Sequence, residues 1–152
     1  MEWTIKAFDA LSAKELYQIL QLRINVFMLE QNCLYPECDD KDFHGKHLFA
    51  YQDNKVIAYA RLLPPGISYS ESSIGRVIVH PEYRKLQLGY TLMEKAKDCL
   101  LEDFPSHHIR ISAQAHLSSF YNNLGFQIES DIYLEDDIPH VEMAYYHIKK
   151  EE

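Results

Sequence analysis

Short strand patterns alternate along this chain with two long helix patterns, and this alternation limits the possible folds more than any other feature. Ser12 and Glu15 form a capping box, which predicts a helix whose apolar stripe runs to Leu29. A second long helix pattern begins near Gln87, and Pro105 ends it. The predicted order is strand, helix, hairpin, strand, helix, strand, helix, strand, strand. This order predicts a single α/β (α+β) domain over residues 1–152, with a mixed sheet and helices on its faces.

Turn residues separate the predicted elements. Asp53-Asn54 predicts a hairpin turn, and Gly125 predicts the end of a short third helix over residues 117–124. The turn region 136–139 separates the last two strands. The predicted strands are residues 3–8, 47–51, 56–63, 73–80, 109–113, 126–133 and 140–147. The predicted first stripe contains Leu16, Ile19, Leu20, Leu22, Val26, Phe27 and Leu29, and the second contains Leu88, Leu92, Met93, Ala96, Cys99 and Leu100.

Two charged residues lie within or at the edge of the first apolar stripe. An unpaired guanidinium on an apolar face is costly, so we expect Arg23 to form an internal ion pair. The role of Glu30, structural or catalytic, is left open. The segment that follows, residues 31–45, is irregular and acidic, and Pro36 and Gly45 argue against a regular element there. We expect this loop to form one wall of a substrate site.

Composition excludes several classes of protein. The chain has 152 residues, of which 47% are hydrophobic, as in ordinary globular domains. Its net charge of -8 disfavours a nucleic acid partner, which needs a cationic face. No apolar run is long enough to span a bilayer, and the first residues lack the pattern of a signal peptide, so no membrane partner is expected. The oligomeric state is left open, a homodimer included.

The cysteines and histidines favour neither disulfides nor a metal. The three cysteines, Cys33, Cys38 and Cys99, are odd in number and lack a zinc-site spacing, which indicates a reducing cytoplasm. His44/His47 and His107/His108 lack further ligands at metal-site spacing, so no metal is expected.

The segment 74–93 is the most informative part of the chain. A strand with the run Val77-Ile78-Val79 ends at Pro81, and a tight loop then leads into the second long helix. The start of a helix presents unpaired amides and the positive end of its dipole, which suits a phosphate. Arg84 and Lys85 add positive charge there. No phosphate-binding motif of the ordinary nucleotide folds is present, and a plain strand-loop-helix connection is an equal alternative on these residues alone.

This segment resembles motif A of the GNAT superfamily of acetyl-CoA-dependent N-acetyltransferases, whose pattern Arg/Gln-x-x-Gly-x-Gly/Ala cradles the CoA pyrophosphate. Arg84 and Gly89 match its first and last positions, whereas Gln87 replaces the middle glycine. The resemblance implies that the backbone of Val77 to Val79 holds the pantetheine arm. It also implies that acetyl-CoA binds at the loop and helix start, formed by Arg84, Lys85, Leu86, Gln87, Leu88, Gly89, Tyr90 and Thr91.

A second segment, residues 114–126, resembles motif B of the same superfamily. Gln114 occupies the usual Asn position of that motif, and Leu117 its usual Ala. Tyr121 falls on the tyrosine that protonates the departing CoA thiolate in many members, although a packing role is its plain alternative. The resemblance therefore adds Gln114 to the expected cofactor-binding residues and makes Tyr121 the expected general acid.

Nearly the whole chain resembles one small group of this superfamily, the ElaA-like branch. The matching stretches are residues 22–35, 75–79, 113–117 and 138–140. The resemblance implies a GNAT-like fold, with a mixed, largely antiparallel central sheet of about six to seven strands flanked by helices. The implied activity is direct transfer of an acetyl group from acetyl-CoA to a primary amine of a small molecule or peptide.

Such a transfer needs a proton donor for sulfur and a proton acceptor for the amine. Tyr121 is the candidate acid, while Glu30, His116, His140 and a water relay are the candidates for the base. The amides of Val77 to Val79 are candidate donors to the oxyanion. Since a structural hydrogen bond explains each candidate base equally well, the sequence does not decide among them.

The acidic residues predict a cationic acceptor. Glu30 and the carboxylates of the following loop, Glu37, Asp39, Asp40 and Asp42, would attract an ammonium group. Two rival functions remain open. The stretch 22–27 is also similar to acyl-homoserine lactone synthases, and Gln87 in place of glycine favours a module that binds CoA or a protein without turnover.

Overall fold

The computed structural model describes residues 1–147, apart from the side chains of residues 85 and 86. Eight strands form one sheet in the order β1-β2-β3-β4-β5-β8-β6, and β7 also pairs with β8. Every strand pair is antiparallel except β4 with β5, so the predicted fold class is confirmed. The strands are β1 (Glu2–Ala7), β2 (Lys46–Gln52), β3 (Lys55–Leu63), β4 (Ser72–Val79), β5 (Ile109–Gln114), β6 (Gln127–Ile128), β7 (Tyr133–Glu135) and β8 (Ile138–Tyr145), and the α-helices are α1 (Ala13–Arg23), α2 (Leu88–Asp103) and α3 (Ser118–Asn123).

The first helix begins as predicted but changes its winding halfway. Ser12 accepts a hydrogen bond from the Glu15 amide, and the Glu15 carboxylate accepts one from the Ser12 amide. After α1 the chain continues as a π-helix over Ile24–Glu30, in which the Cys33 amide bonds the Met28 carbonyl five residues back. The wider turn rotates Leu29 to 70% exposure, so the prediction that Leu29 is part of the buried stripe is wrong.

The end of the chain departs from the predicted strands. Residues 126–133 form no continuous strand, because the Ser130 hydroxyl accepts the Glu142 amide and takes the place of a backbone partner. Two short strands, β6 and β7, result, which raises the strand number to eight. Ile138 and Pro139, predicted to lie in a turn, belong to β8 instead. The turn consists of Asp136 and Asp137 alone, both with positive φ, as in the predicted hairpin turn at Asp53-Asn54.

The helices cover both faces of the sheet. Phe49 packs in the cluster that contains Ile19, Leu22 and Val26, whereas its neighbours in β2, Leu48 and Ala50, pack in the cluster of α2. Because adjacent strand residues point to opposite faces, α1 and α2 lie on opposite faces of the sheet. The predicted core residues of α2 are buried except for the half-buried Cys99, and they are Leu88, Leu92, Met93, Ala96 and Leu100.

Buried ion pairs fasten the loop of residues 31–45 to the sheet. Arg23 is fully buried and donates to Glu37 Oε1 at 2.6 Å and to Asp42 Oδ1 at 2.8 Å, which confirms its predicted internal ion pair. Arg61 of β3 donates to Asp42 at 3.0 Å and to both carboxylate oxygens of Asp39. The two arginines and three carboxylates therefore hold α1, β3 and the loop together.

The arginines also keep the loop carboxylates ionised. Burial by itself would raise the pKa of Asp42, but the hydrogen bonds and charges of Arg23 and Arg61 outweigh it and lower that pKa. Asp39 is affected in the same way, with Arg61 and Arg76 as its partners, and its pKa is also lowered.

We predict that these ion pairs make the fold acid-labile. A carboxyl with a lowered folded-state pKa contributes its full stability above its unfolded value, and this contribution is lost as the pH falls through the folded value. Urea unfolding should therefore show a decline in stability between about pH 5 and about pH 3. Asp42→Asn should cost about 3 kcal/mol or more at neutral pH, since it leaves two buried arginines underpaired, and should flatten the decline. The exposed neighbour variant Asp40→Asn is the control, and an equal pH slope in all three proteins would contradict the prediction.

We predict a large destabilisation for Gly125→Ala. Gly125 ends α3 with a φ of +94°, and an added Cβ would lie 2.8 Å from the Tyr145 ring. Gly66 has nearly the same φ, +92°, but nothing within 4 Å of an added Cβ, so Gly66→Ala measures the backbone strain alone. Both variants should lower the urea midpoint, and Gly125→Ala should cost about 1–3 kcal/mol more than Gly66→Ala because of overpacking. Equal losses would show that the Tyr145 contact is unimportant.

Candidate functional site

The site lies where the two parallel strands of the sheet separate. β4 and β5 pair only through Ser72 with Ile109 and Ser73 with Arg110, at the start of each strand. Beyond Ser73 the strands diverge, and a cavity of about 660 Å³ opens between them. Residues of β4, β5, the loop after the π-helix and the β7–β8 turn line it, so the predicted role of the loop as a wall of the site agrees with the geometry.

A bulge in β4 directs particular backbone groups into this gap. The register with β3 shifts by one residue between Tyr59/Ile78 and Arg61/Gly75, and Arg76 adopts a φ of +52° at that point. The His80 amide bonds the Ile57 carbonyl of β3, so alternation turns the backbone of Ile78 toward β3 as well. The backbone groups of Val77 and Val79 consequently face the gap. Of the three residues predicted to hold a pantetheine arm, only these two present their polar groups there.

Arg84 lies at the mouth of the cavity and is held by two partners. Its Nε donates to the Val79 carbonyl at 3.1 Å, and its Nη1 and Nη2 donate to the Glu30 carboxylate at 2.6 and 2.9 Å. The hydrogen bond from Arg84 lowers the pKa of Glu30 more than any other contact. A carboxylate with a lowered pKa is a weaker proton acceptor, so the geometry gives Glu30 the role of an ion-pair partner.

The loop before α2 makes a left-handed turn at the position where Gln87 replaces the middle glycine of the motif. Gln87 adopts the left-handed conformation, with φ 55° and ψ 29°, and its side chain does not cap the helix. A residue with a side chain is strained by about 1–2 kcal/mol in this backbone conformation, which glycine adopts without strain. Gln87 therefore destabilises the loop slightly. Gly89 packs closely on the next helix, because an added Cβ would lie 3.2 Å from the Phe120 ring and would need that ring to shift.

The other residues predicted at the helix start divide by exposure. Leu88 is buried in the core, so only its backbone is available to a ligand. Tyr90 and Thr91 are exposed on the first turn, and the Tyr90 ring packs against Phe120. Lys85 and Leu86 belong to the 3-10 turn that precedes Gln87.

Tyr121 of α3 lines the cavity with a largely buried side chain. The residue is 7% exposed, and burial raises its pKa to about 12. Among the described side chains and backbone groups, none forms a hydrogen bond with its hydroxyl. A protonated, unpartnered hydroxyl on the wall of a cavity is available to donate its proton to a ligand atom.

Three further predicted residues meet in the same cavity. Gln114 ends β5 opposite His140 of β8, and its side chain donates to Gln31 at 3.4 Å. His116 is exposed in the turn between β5 and α3, and His140 is 7% exposed. Both histidines line the cavity with Tyr121, so the fold brings together residues that are up to 24 positions apart.

The charges of the cavity differ from the expected arrangement. Glu37, Asp39 and Asp42 are neutralised by Arg23, Arg61 and Arg76, so most of the acidic loop provides no free negative charge. Two acidic residues that no sequence motif indicates, Glu135 at the end of β7 and Asp136 in the β7–β8 turn, line the cavity without a Lys or Arg partner in the described part of the chain. In the sequence, the adjacent pair Asp136-Asp137 indicates only a turn.

Among the described residues, no helix is long and apolar enough to cross a membrane. No three His, Cys, Asp or Glu side chains of residues 1–147 lie together in an arrangement that could hold a metal ion.

This chain is similar in sequence and fold to several known proteins. The family of acetyltransferase (GNAT) domains matches residues 15–147. A UPF0039 protein of Schizosaccharomyces pombe is 43% identical over 94% of this chain and 95% of its own length. The crystal structure of an acyl-CoA N-acyltransferase from Pseudomonas aeruginosa superposes with a TM-score of 0.91 and 40% identity over 96% of this chain and all of that one. Escherichia coli ElaA gives 0.90 and 36% over the same shares.

These relatives match this chain over almost its entire length. Their sequence identities are well above those of proteins that share only a fold. The motif resemblances at residues 74–93 and 114–126 lie within the matched region. The chain therefore belongs to the GNAT family of acyl-CoA N-acyltransferases, and within it to the ElaA-like branch, as its sequence motifs predict.

Proposed function

We propose that this protein transfers an acetyl group from acetyl-CoA directly to a primary amine of a small molecule or peptide that is cationic in solution. The observation that carries the proposal is the gap between β4 and β5. It presents the backbone of Val77 and Val79, which pairs with no neighbouring strand, and a protonated tyrosine at one cavity of about 660 Å³. Arg84 also lines this cavity, and the start of α2 follows it four residues later in the chain.

The donor side of the cavity suits an acyl-CoA thioester. Amide groups of the pantetheine arm can pair with the backbone of Val77 and Val79 as an added strand would, since no neighbouring strand uses these groups. The first turn of α2, a helix of 16 residues, offers amides without a side-chain cap to the pyrophosphate. Arg84 and Lys85 precede it in the chain, and Gln114 lies on the opposite wall.

The transfer itself needs three groups around the thioester. The amine attacks the carbonyl carbon, and a gap-facing amide of Val77 or Val79 stabilises the oxyanion. The carbon–sulfur bond then breaks, and Tyr121 gives its proton to the thiolate sulfur. The proton that leaves the nitrogen restores the tyrosine hydroxyl, and the excess proton of the ammonium goes to a base or to water. Since Glu30 is engaged by Arg84, His140 and His116 are the side chains available as that base.

The acceptor's positive charge follows from the free carboxylates of the cavity. Glu135 and Asp136 line it without a Lys or Arg partner among the described side chains, so they favour an ammonium group over an anionic acceptor. We also place the protein in the cytoplasm, because Cys33, Cys38 and Cys99 carry unpaired thiols.

The proposal predicts release of free CoA thiol from acetyl-CoA when a suitable amine is added. A panel of polyamines, amino acids, lysine peptides and aromatic amines should show release with cationic primary amines, and added salt should raise their Michaelis constants. Acetyl-CoA should also raise the melting temperature with the logarithm of its excess. Stabilisation by CoA without thiol release would favour the binding module, and turnover with only long acyl donors would favour the lactone-synthase-like rival. Neither stabilisation nor release would remove the proposal.

We predict that Tyr121→Phe slows turnover without weakening acetyl-CoA binding. The lost hydroxyl acts on the leaving sulfur and has no structural partner among residues 1–147, so the melting temperature should not fall. Loss of a general acid should lower kcat by about a hundredfold or more. Tyr17→Phe is the matched control, because Tyr17 is 70% exposed and lies outside the cavity. An unchanged kcat under conditions where chemistry limits the rate would make Tyr121 a packing residue.

A further inference from the structure

Glu135 and His140 meet across the β7–β8 hairpin on the acceptor side of the cavity. His140 Nε2 lies 3.2 Å from Glu135 Oε2, and its Nδ1 lies 2.7 Å from the Ile138 carbonyl oxygen. A carbonyl oxygen can only accept, so Nδ1 carries a proton. In the neutral ring, Nε2 therefore carries a lone pair and no proton. It faces the Glu135 carboxylate, which also can only accept a hydrogen bond. Nε2 and the carboxylate therefore form a hydrogen bond only when a proton lies between them.

The surroundings hold this pair in place. Tyr133 stacks on the His140 ring with centroids 6.2 Å apart and planes 25° apart. The Tyr133 hydroxyl bonds the Ser112 hydroxyl, which in turn donates to Glu135 Oε1 at 3.4 Å. This chain of hydrogen bonds leaves Oε2 directed at His140. The histidine side chain is only 9% exposed, whereas that of Glu135 is 51% exposed and can admit a ligand beside it.

We propose that Glu135 and His140 bind the acceptor ammonium between them and remove its proton, a role that rests on the proposed acetyl transfer. The ammonium binds beside the contact, on the exposed side of Glu135, and donates one hydrogen bond to Nε2 and one to Oε2. One nitrogen–hydrogen bond of the ammonium breaks, its electron pair stays on nitrogen, and the proton forms a new bond to Nε2. Glu135 stabilises the resulting imidazolium, which later loses the proton to solvent, while the neutral amine attacks the thioester.

This assignment selects one class of acceptor. A primary alkylamine carries the proton that the pair must remove, and its ammonium supplies the missing hydrogen between Nε2 and Oε2. The groups around the imidazole support the exchange, because Tyr133, Glu135 and Gln114 are its polar neighbours on β7 and β5 and none is cationic. A secondary consequence is that amines already neutral in solution do not need His140.

The test compares two acceptors that differ in this proton. An alkylamine is cationic near neutral pH, and hydroxylamine is neutral there and needs no deprotonation before attack. His140→Asn keeps a donor for the Ile138 carbonyl but removes Nε2. It should lower kcat/KM for the alkylamine by about a hundredfold or more, and for hydroxylamine only slightly. Raising the pH should restore part of the alkylamine rate in the variant.

Glu135→Gln keeps the test decisive if His140→Asn folds poorly, since Glu135 is exposed. It should raise the alkylamine KM by about tenfold and leave the hydroxylamine KM unchanged. Asp137→Asn is the matched control, because it removes the same charge two residues further along the same hairpin but lies outside the cavity lining. Its alkylamine KM should stay close to that of the parent protein.

The outcomes separate this inference from the function on which it rests. If the parent protein uses both acceptors and the His140 and Glu135 variants lose both equally, or neither, the pair does not take the proton. A loss with His116→Asn in place of His140→Asn would assign the base to His116 and overturn the inference. If the parent protein transfers to no amine at all, the proposed function fails and the inference fails with it.

Discussion

The separation of β4 from β5 is the constraint on which the rest of the site depends. Two parallel strands that paired along their whole length would leave no gap and no unpaired backbone. Here the pairing ends after Ser73, and the bulge at Arg76 turns β4 away while it keeps its pairing with β3. The same bulge decides that Val77 and Val79, rather than Ile78, face the gap. The opening therefore begins after Ser73, and the positive-φ residue Arg76 sets which backbone groups form the wall of the cavity.

The bulge is in turn held by the acidic loop. Arg76 donates through Nε to Glu37 at 2.9 Å, and Glu37 shares the same oxygen with the buried Arg23 of α1. Glu37 therefore joins β4, which forms one wall of the cavity, to α1 on the face of the sheet. Removal of one partner of a buried ion pair leaves the other charge unpaired. Replacing these carboxylates should therefore lower the stability of the fold. Their structural role explains an acidic loop that carries little free charge.

Local signals in the sequence predicted most of the elements correctly. The capping box at Ser12, the Asp53-Asn54 turn and the end of α3 at Gly125 each depend on residues close together in the chain. The errors have a different origin. The π-helix that exposes Leu29 follows from hydrogen bonds that periodicity does not encode, and the break after β6 follows from a Ser130–Glu142 contact 12 residues apart.

The part of the site that could be predicted from the sequence consists of residues within recognisable motifs. Val77, Val79, Arg84, Gln114, Tyr121 and His140 all reach one cavity, whereas their chemical roles remain predictions. The partners that give these residues their properties lie far away in sequence. Arg84 pairs with Glu30 across 54 positions, and Arg76 pairs with Glu37 across 39. No pattern of spacing specifies such partners, so the neutralisation of the acidic loop could only emerge from the fold.

Under the proposed function, the Val79 carbonyl oxygen links the acyl donor to Arg84. Arg84 donates to this oxygen and is paired with Glu30, whereas Glu135 and Asp136 line the same cavity without a Lys or Arg partner among the described side chains. A pantetheine amide that donated to Val79 would share the oxygen with the Arg84 Nε, because a carbonyl oxygen has two lone pairs. The shared oxygen would keep the guanidinium at the cavity mouth, where the phosphates of CoA would need a cation. Donor binding and the orientation of Arg84 would thereby be coupled through one oxygen atom. In the same proposal, the Glu135 and Asp136 carboxylates would attract the cationic amine before its proton is removed.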